Sequence, residues 1–159
     1  MLPALPEEIN LRVAGIEWDK GESEALKSPR VTYLGPLSRD ELNKEYAAAL
    51  AVVLPNINML NGEFEGFGLV ATEASASGGV VLASRQGGLI DAVKHGETGF
   101  LLPASMAAIW IEKITEVSNW SESTRIKFIK KSILTASVYY SWARVAKDIE
   151  SLYEGERGM

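Results

Sequence analysis

Apolar residues along this chain recur with two different periods. Short continuous runs rich in β-branched residues lie at Leu11–Gly15 (LRVAG), Val31–Gly35 (VTYLG), Ala49–Pro55 (ALAVVLP), Val80–Ser84 (VVLAS) and Gly99–Pro103 (GFLLP), and each stops at Gly, Pro or Ser. Runs of this length without polar alternation predict strands buried on both faces, as in a parallel sheet. Helical patterns separate them. Ser38 predicts an N-cap, and Glu41 three residues later completes a capping box for a helix through RDELNKEYAAAL. A second helix is expected after Gly68, and a short one over about Gly88 to Val93.

The last third changes character. Met106, Trp110, Ile114 and Val117 fall on one helical face, as do Ile126, Ile129 and Ile133. Trp142, Val145, Ile149 and Leu152 repeat the pattern behind Ser141, a predicted N-cap. Strand–helix alternation followed by helices predicts an α/β fold, a Rossmann-like open parallel sheet with helices on both faces. Residues 1–159 are expected to form a single domain, with a frayed tail at 155–159.

Composition narrows the function without naming it. A hydrophobic fraction of 47% and a charged fraction of 23% over 159 residues suit one globular domain with a real core. A formal net charge of −5 lacks the basic footprint that phosphate-backbone binding requires, so nucleic acid is not the expected partner. There are no cysteines, which excludes disulfides and thiolate metal sites and is compatible with a reducing compartment. No apolar stretch reaches the roughly 18 residues of a membrane span, and MLPALPEEIN has neither a basic flank nor a long apolar core.

Ligands of open α/β sheets bind beyond the carboxyl ends of the strands. The Gly- and Pro-rich turns of this chain fall there, at Gly15 to Gly21, Gly35-Pro36, Pro55 to Gly68 and Ser84 to Gly88. In the longest, Glu65 and Glu73 bracket Gly66-Phe67-Gly68. Glycines at a helix start leave backbone amides uncovered, and with the helix dipole these form an anion site suited to phosphate. A carboxylate one turn further on repels phosphate but accepts hydrogen bonds from a diol such as ribose. The competing reading makes both acids solvated residues at a helix start, where negative charge is favourable anyway. The small residues of ATEASASGG allow a close approach of helix to strand or ligand. The adjacent Gly87-Gly88 pair favours a second ligand edge.

The ordered set EGFGLVATEASASGGVVLAS, GGLIDAV and GETGFLLP resembles the C-terminal, nucleotide-sugar-binding domain of GT-B glycosyltransferases, glycosyltransferase family 4 (glycosyl transferases group 1). VTYLGPLSRDEL, AALAVVLPN and YYSWARVAKDIESLY are similar to other parts of that domain, so the likeness runs from Leu11 to Tyr153. It implies a retaining enzyme that moves a sugar from a UDP-, GDP- or ADP-linked donor to an acceptor such as a growing glycan or lipid-linked saccharide. It implies that Glu73 binds the ribose, that Glu65 is catalytic and faces the transferred sugar, and that Gly66, Phe67, Gly68 and Leu69 contact sugar and diphosphate. Gly35, Pro36 and Leu37 would border the base. It implies no metal and no cofactor. Glycoside hydrolysis, which also uses paired carboxylates, leaves the glycine amides without a role.

The resemblance also has gaps. The family's domain opens with a further strand ending in a Gly-Arg turn and then a helix bearing a Lys, and nothing before Leu11 matches either. The expectation is therefore a fragment or half of a split enzyme, inactive alone, whose partners are a nucleotide sugar and the missing N-terminal domain or a partner chain. A homodimer with a swapped strand is another way to close the sheet. The alternative function is a non-catalytic subunit or assembly module with a sugar-nucleotide fold. The expected location is the cytoplasm, with RIKFIKK (Arg125 to Lys131) either a solvated face or a contact to the inner face of a membrane. His95 is expected on a surface loop, Arg85 in solvent, and most tryptophans in the core. Val80 replaces a proline common in the family.

Overall fold

The computed structural model describes residues 2–16, 24, 26–57 and 66–156. Its strands are β1 (Leu11–Ala14), β2 (Val31–Gly35), β3 (Val52–Leu54), β4 (Val81–Ser84) and β5 (Gly99–Leu102). Its helices are α1 (Arg39–Ala48), α2 (Leu69–Ala76), α3 (Leu89–Ala92), α4 (Ala107–Ser118), α5 (Glu122–Tyr139) and α6 (Trp142–Glu156), behind a 3₁₀ turn at Leu2–Ala4. Every pairing is parallel. β1 pairs with β2 in one sheet, and β3, β4 and β5 follow one another in a second. All five apolar runs thus form strands, and the architecture is the expected α/β one with helices flanking parallel sheets.

Side chains of the three-stranded sheet alternate between two cores, as strand geometry requires. Val81, Ala83, Leu101, Val52 and Leu54 face one cluster, built with Tyr46 of α1, Ala71 and Ala74 of α2, and Leu89 and Ala92 of α3. Leu82, Leu102 and Val53 face the other, built with Trp110 and Ile114 of α4 and with Leu5 of the N-terminal segment. β4 is buried along its whole length because it has a strand on each side and a core on each face. Arg30 ties the N-terminal segment down by donating to the carbonyls of Leu2, Leu5, Pro6 and Ile9. That clamp was not legible in the sequence.

The capping box at Ser38 and Glu41 is present, and Ser141 caps α6 by accepting from the Arg144 amide. α4 buries Trp110, Ile114 and Val117 as its periodicity predicts, while Met106 sits at its N-cap, half exposed. α5 differs. Its buried residues are Ser132 and Ala136, whereas Ile126 and Ile133 are exposed. The cause is its neighbour: α2 offers small residues, so the closest approach is small against small. Ser132 Oγ donates to the carbonyls of Ser75 and Thr98 there, and Ile129 and Ile133 flank Gly78.

The tryptophans also depart from expectation. Trp110 is buried and Trp120 half-buried beside Phe100 and Phe128, but Trp142 is 86% exposed; Trp18 lies outside the described residues. Ile149 and Leu152 of α6 are exposed with it, because no described element crosses that face. The basic run is not one solvated face either. Arg125 reaches inward to the carbonyls of Leu50 and Val117, and burial lowers its pKa. Among the described residues no helix is long and apolar enough to cross a membrane.

Two predictions follow from this packing. Trp110→Ala removes the largest fully buried side chain and the bond from its indole N–H to the Pro103 carbonyl, so it should cost about 3–5 kcal/mol in urea unfolding. Glu45 is held below its ordinary pKa by the Arg12 guanidinium, and Glu41 by the hydroxyl and amide of Ser38. Both folded values are depressed, so the stabilisation is present above the ordinary carboxylate pKa of about 4.3 and disappears as pH falls through the folded values. Glu45→Gln should flatten the acid limb of a stability–pH curve while Glu41 keeps its share.

Candidate functional site

Gly- or Pro-rich turns were expected at four strand ends, at Gly15 to Gly21, Gly35-Pro36, Pro55 to Gly68 and Ser84 to Gly88; residues 17–21 and 58–65 of these lie outside the described residues, and the described parts follow β1, β2, β3 and β4. At the end of β1, the Gly15 amide donates to the Gly35 carbonyl and the Tyr33 hydroxyl donates to the Gly15 carbonyl. At the end of β2, Gly35 has φ 67°, a left-handed conformation that explains the glycine. Exposed Pro36 and half-buried Leu37 then lead into the Ser38 cap of α1. These three residues therefore sit at the carboxyl end of the two-stranded sheet.

The turns beyond β3 and β4 interlock. A methyl group placed on Gly88 would lie 2.2 Å from the carbonyl oxygen of Gly66 and 2.5 Å from Phe67 Cα, so the two loops touch backbone to backbone. Gly68, the N-cap of α2, has φ 77° and no side chain to cap the helix. A methyl group on it would meet Leu89 Cδ2 at 2.7 Å. The Gln86 amide donates to the Asn56 carbonyl and joins the loop beyond β4 to that beyond β3.

Phe67 is held from outside the loop. Its ring meets that of Tyr140 edge-on at 6.2 Å, and the Tyr140 hydroxyl donates to the Asp91 carbonyl of α3. Burial raises the Tyr140 pKa. Nothing in the spacing of the sequence linked Tyr140 to Phe67, which lies more than 70 positions upstream.

α2 explains the run of small residues. Ala71 and Ala74 are fully buried and Ser75 nearly so. A methyl group on Gly79 would stand 2.9 Å from Val52 Cγ2 and 3.0 Å from the Ala74 carbonyl. The run is therefore a tight helix–sheet contact, and by that contact it fixes the start of α2.

Glu73 lies one turn into α2 and is half-buried. Its charge, after burial, raises the pKa of Tyr46. Glu65 lies outside the described residues. Exposed Leu69 follows Gly68, and its amide and that of Val70 belong to the first helical turn, whose N–H groups have no intrahelical acceptor. Donors at a helix start, two abutting glycine turns and a half-buried carboxylate together suit a ligand that carries both anionic oxygens and hydroxyls.

Other candidates are placed as follows. Arg85 is exposed just after β4, beside Ser84, whose buried hydroxyl has no hydrogen-bond partner among the described residues. His95 is exposed, as expected. Its Nδ1 accepts from the Leu101 amide at 3.1 Å, and its ring meets Phe100 edge-on, so it braces the β5 edge and stands before that strand. Among the described residues no cluster of three His, Cys, Asp or Glu could hold a metal ion.

Comparison with known proteins adds an independent line. Residues 2–134 match the family model described as glycosyl transferases group 1. The chain is 37% identical over 124 residues to the D-inositol 3-phosphate glycosyltransferase of Corynebacterium efficiens, covering 78% of this chain and 27% of that protein. It is 38% identical over 124 residues to the protein of that name from Corynebacterium glutamicum, covering 78% and 28%. The chain thus spans about a quarter of the length of these curated relatives. Among solved structures, Anabaena HepE in complex with UDP superposes with a TM-score of 0.75 at 21% identity, over 97% of this chain and 43% of that one. Sucrose-phosphate synthase from Thermosynechococcus elongatus gives 0.69 at 27% identity, over 94% and 39%.

The interlocked turns predict opposite outcomes for neighbouring glycines. Gly88→Ala should force the two loops apart, lower Tm and shift the amide resonances of residues 66–68. Gly66→Ala meets nothing within 4 Å and should change stability by no more than about 0.5 kcal/mol.

Proposed function

This chain belongs to the glycosyl transferases group 1 family, and on that premise we propose that its strand-end turns bind the nucleotide-sugar donor of a glycosyl transfer. The observation that carries the reading is the contact of Gly66 with Gly88 over the start of α2, with Glu73 half-buried one turn in. A donor of this class has a diphosphate between two polyols. The amides of Phe67, Gly68 and Leu69 take the diphosphate and the near edge of the sugar. The Glu73 carboxylate accepts hydrogen bonds from the ribose hydroxyls, and Glu65 faces the transferred sugar. Gly35, Pro36 and Leu37 border the base.

During transfer the bond from the anomeric carbon to the diphosphate oxygen breaks, and a bond to the acceptor oxygen forms on the same face of the sugar. The acceptor's proton leaves with the departing phosphate. Negative charge grows on the diphosphate as its bond breaks, and donors already aimed at it lower the barrier; removing one such donor typically costs about 10²–10³ in rate. Transfer is read as retaining, hexosyl and metal-independent, in keeping with the resemblance drawn above. The structures of HepE hold UDP and UDP-glucose, which makes UDP-glucose the first donor to test. The acceptor side, and the cations that would balance the leaving group, are assigned to polypeptide outside residues 1–159.

Titrating the chain with UDP by calorimetry should show weak binding, and Glu73→Gln should weaken it about 10- to 100-fold, the worth of one or two charge-assisted hydrogen bonds. In the full enzyme, Glu65→Gln should abolish kcat and Glu73→Ala should raise the donor KM. Turnover by the isolated chain would contradict the division of labour. No binding of UDP-, GDP- or ADP-sugars would favour a non-catalytic subunit.

A further inference from the structure

The two interlocked turns are joined again from outside, at the junction of α5 and α6. Tyr140 caps the end of α5, its amide donating to the Ala136 carbonyl. Its ring meets Phe67 edge-on at 6.2 Å, on the turn that leads into α2. Its hydroxyl donates at 3.2 Å to the Asp91 carbonyl, in the last turn of α3, where helix carbonyls lack intrahelical donors. The Asp91 amide in turn donates to the Gly88 carbonyl, and Gly88 is the residue that abuts Gly66. One side chain therefore grips both turns. Burial raises the Tyr140 pKa, so the phenol is a donor at neutral pH.

Tyr139 keeps Tyr140 in this pose. The two rings meet edge-on at 5.0 Å. Lys94, just beyond α3, places Nζ 3.6 Å from the centre of the Tyr139 ring, and the Arg144 guanidinium of α6 lies 4.6 Å from it. Both cations are attracted to the ring face. Arg144 also donates to the Tyr139 carbonyl and pairs with Asp148. Phe67, by contrast, is 41% exposed, so core packing does not fix its ring. A methyl group on Gly66 beside it would meet nothing within 4 Å. A turn with so little packing of its own needs an outside contact to hold its backbone still.

We infer that Tyr140 is a positioning residue for the donor diphosphate, a role that rests on the nucleotide-binding reading above: it holds the Phe67 turn against α3 and so keeps the amides of Phe67 and Leu69 aimed. It acts through Phe67 and not on the donor itself. Donors that meet growing charge work by being aimed beforehand, and a displacement of about 1 Å can cost about 10²-fold. Ribose recognition does not pass through this contact. Glu73 stands one turn into α2, whose own place is set by Ala71, Ala74 and Gly79 against the sheet. The consequence is selective: loss of Tyr140 weakens the grip on phosphate and spares the nucleoside.

The test compares UDP with uridine by NMR titration of the chain, together with backbone relaxation of the unliganded protein at residues 66–69. Tyr140→Leu removes the ring pair and the hydroxyl bond, and should weaken UDP binding about tenfold or more while changing uridine binding less than about twofold. Tyr140→Phe keeps the ring, loses only the bond to Asp91 and should recover part of the UDP affinity, so a leucine variant that fails to fold does not remove the test. Order parameters at Phe67 and Leu69 should fall in the same order. Ile114→Ala lowers stability from the opposite core without touching either turn, and should leave the ratio of UDP to uridine affinity unchanged. Equal losses for UDP and uridine would overturn the inference and leave the nucleotide reading standing. So would unchanged UDP affinity or unchanged order parameters in both Tyr140 variants. A wild-type chain that binds neither ligand would overturn the nucleotide reading, and the donor role of Tyr140 with it.

Discussion

A helix can lie against a sheet at backbone distance only where almost no side chain stands between them, and the placement of α2 depends on that constraint. Ala71, Ala74 and Ser75 are buried to within a percent or so, and Gly79 leaves no room for a methyl group beside Val52 and the Ala74 carbonyl. The close approach sets where α2 begins. It puts Gly68 against Leu89 and Gly66 against Gly88, so the loops beyond β3 and β4 become one surface. It also governs the outer layer, because α5 can reach α2 only through residues as small as Ser132 and Ala136. One run of small residues thus fixes the helix start, the loop contact and the helix that covers them.

Much of the fold was legible because it is written in local terms. The five apolar runs are strands because β-branched residues favour the extended backbone. The expected burial on both faces holds only for β4 and most of β5, while β1 and β2 are exposed or half-buried. The Ser38–Glu41 box starts α1 by chemistry confined to four residues. What failed was periodicity read without its partner. The Ile126, Ile129 and Ile133 stripe and the Trp142, Ile149 and Leu152 stripe are correct helical faces, yet most of their residues are exposed. Periodicity says which residues share a face, and only tertiary packing says whether anything covers it.

The candidate site divides in the same way. Gly66, Gly68, Gly87 and Gly88 could be picked out because glycines at strand ends are informative on their own, and Gly68 does adopt a left-handed conformation. The contact between the two turns, the bracing of Phe67 by Tyr140 and the link from Gln86 to Asn56 join residues far apart in the chain and leave no mark in its spacing. The clamp of Arg30 on four carbonyls of the N-terminal segment is invisible for the same reason.

The donor nucleotide is proposed to lie where α2 begins. Intermolecular NOEs between UDP and the isotopically labelled chain test it most directly. NOEs are expected from the ribose protons to the α2 residues around Glu73, together with shifts at the amides of Gly68 and Leu69. NOEs that map instead to the N-terminal segment around Leu5, or to the exposed face of α6, would contradict it.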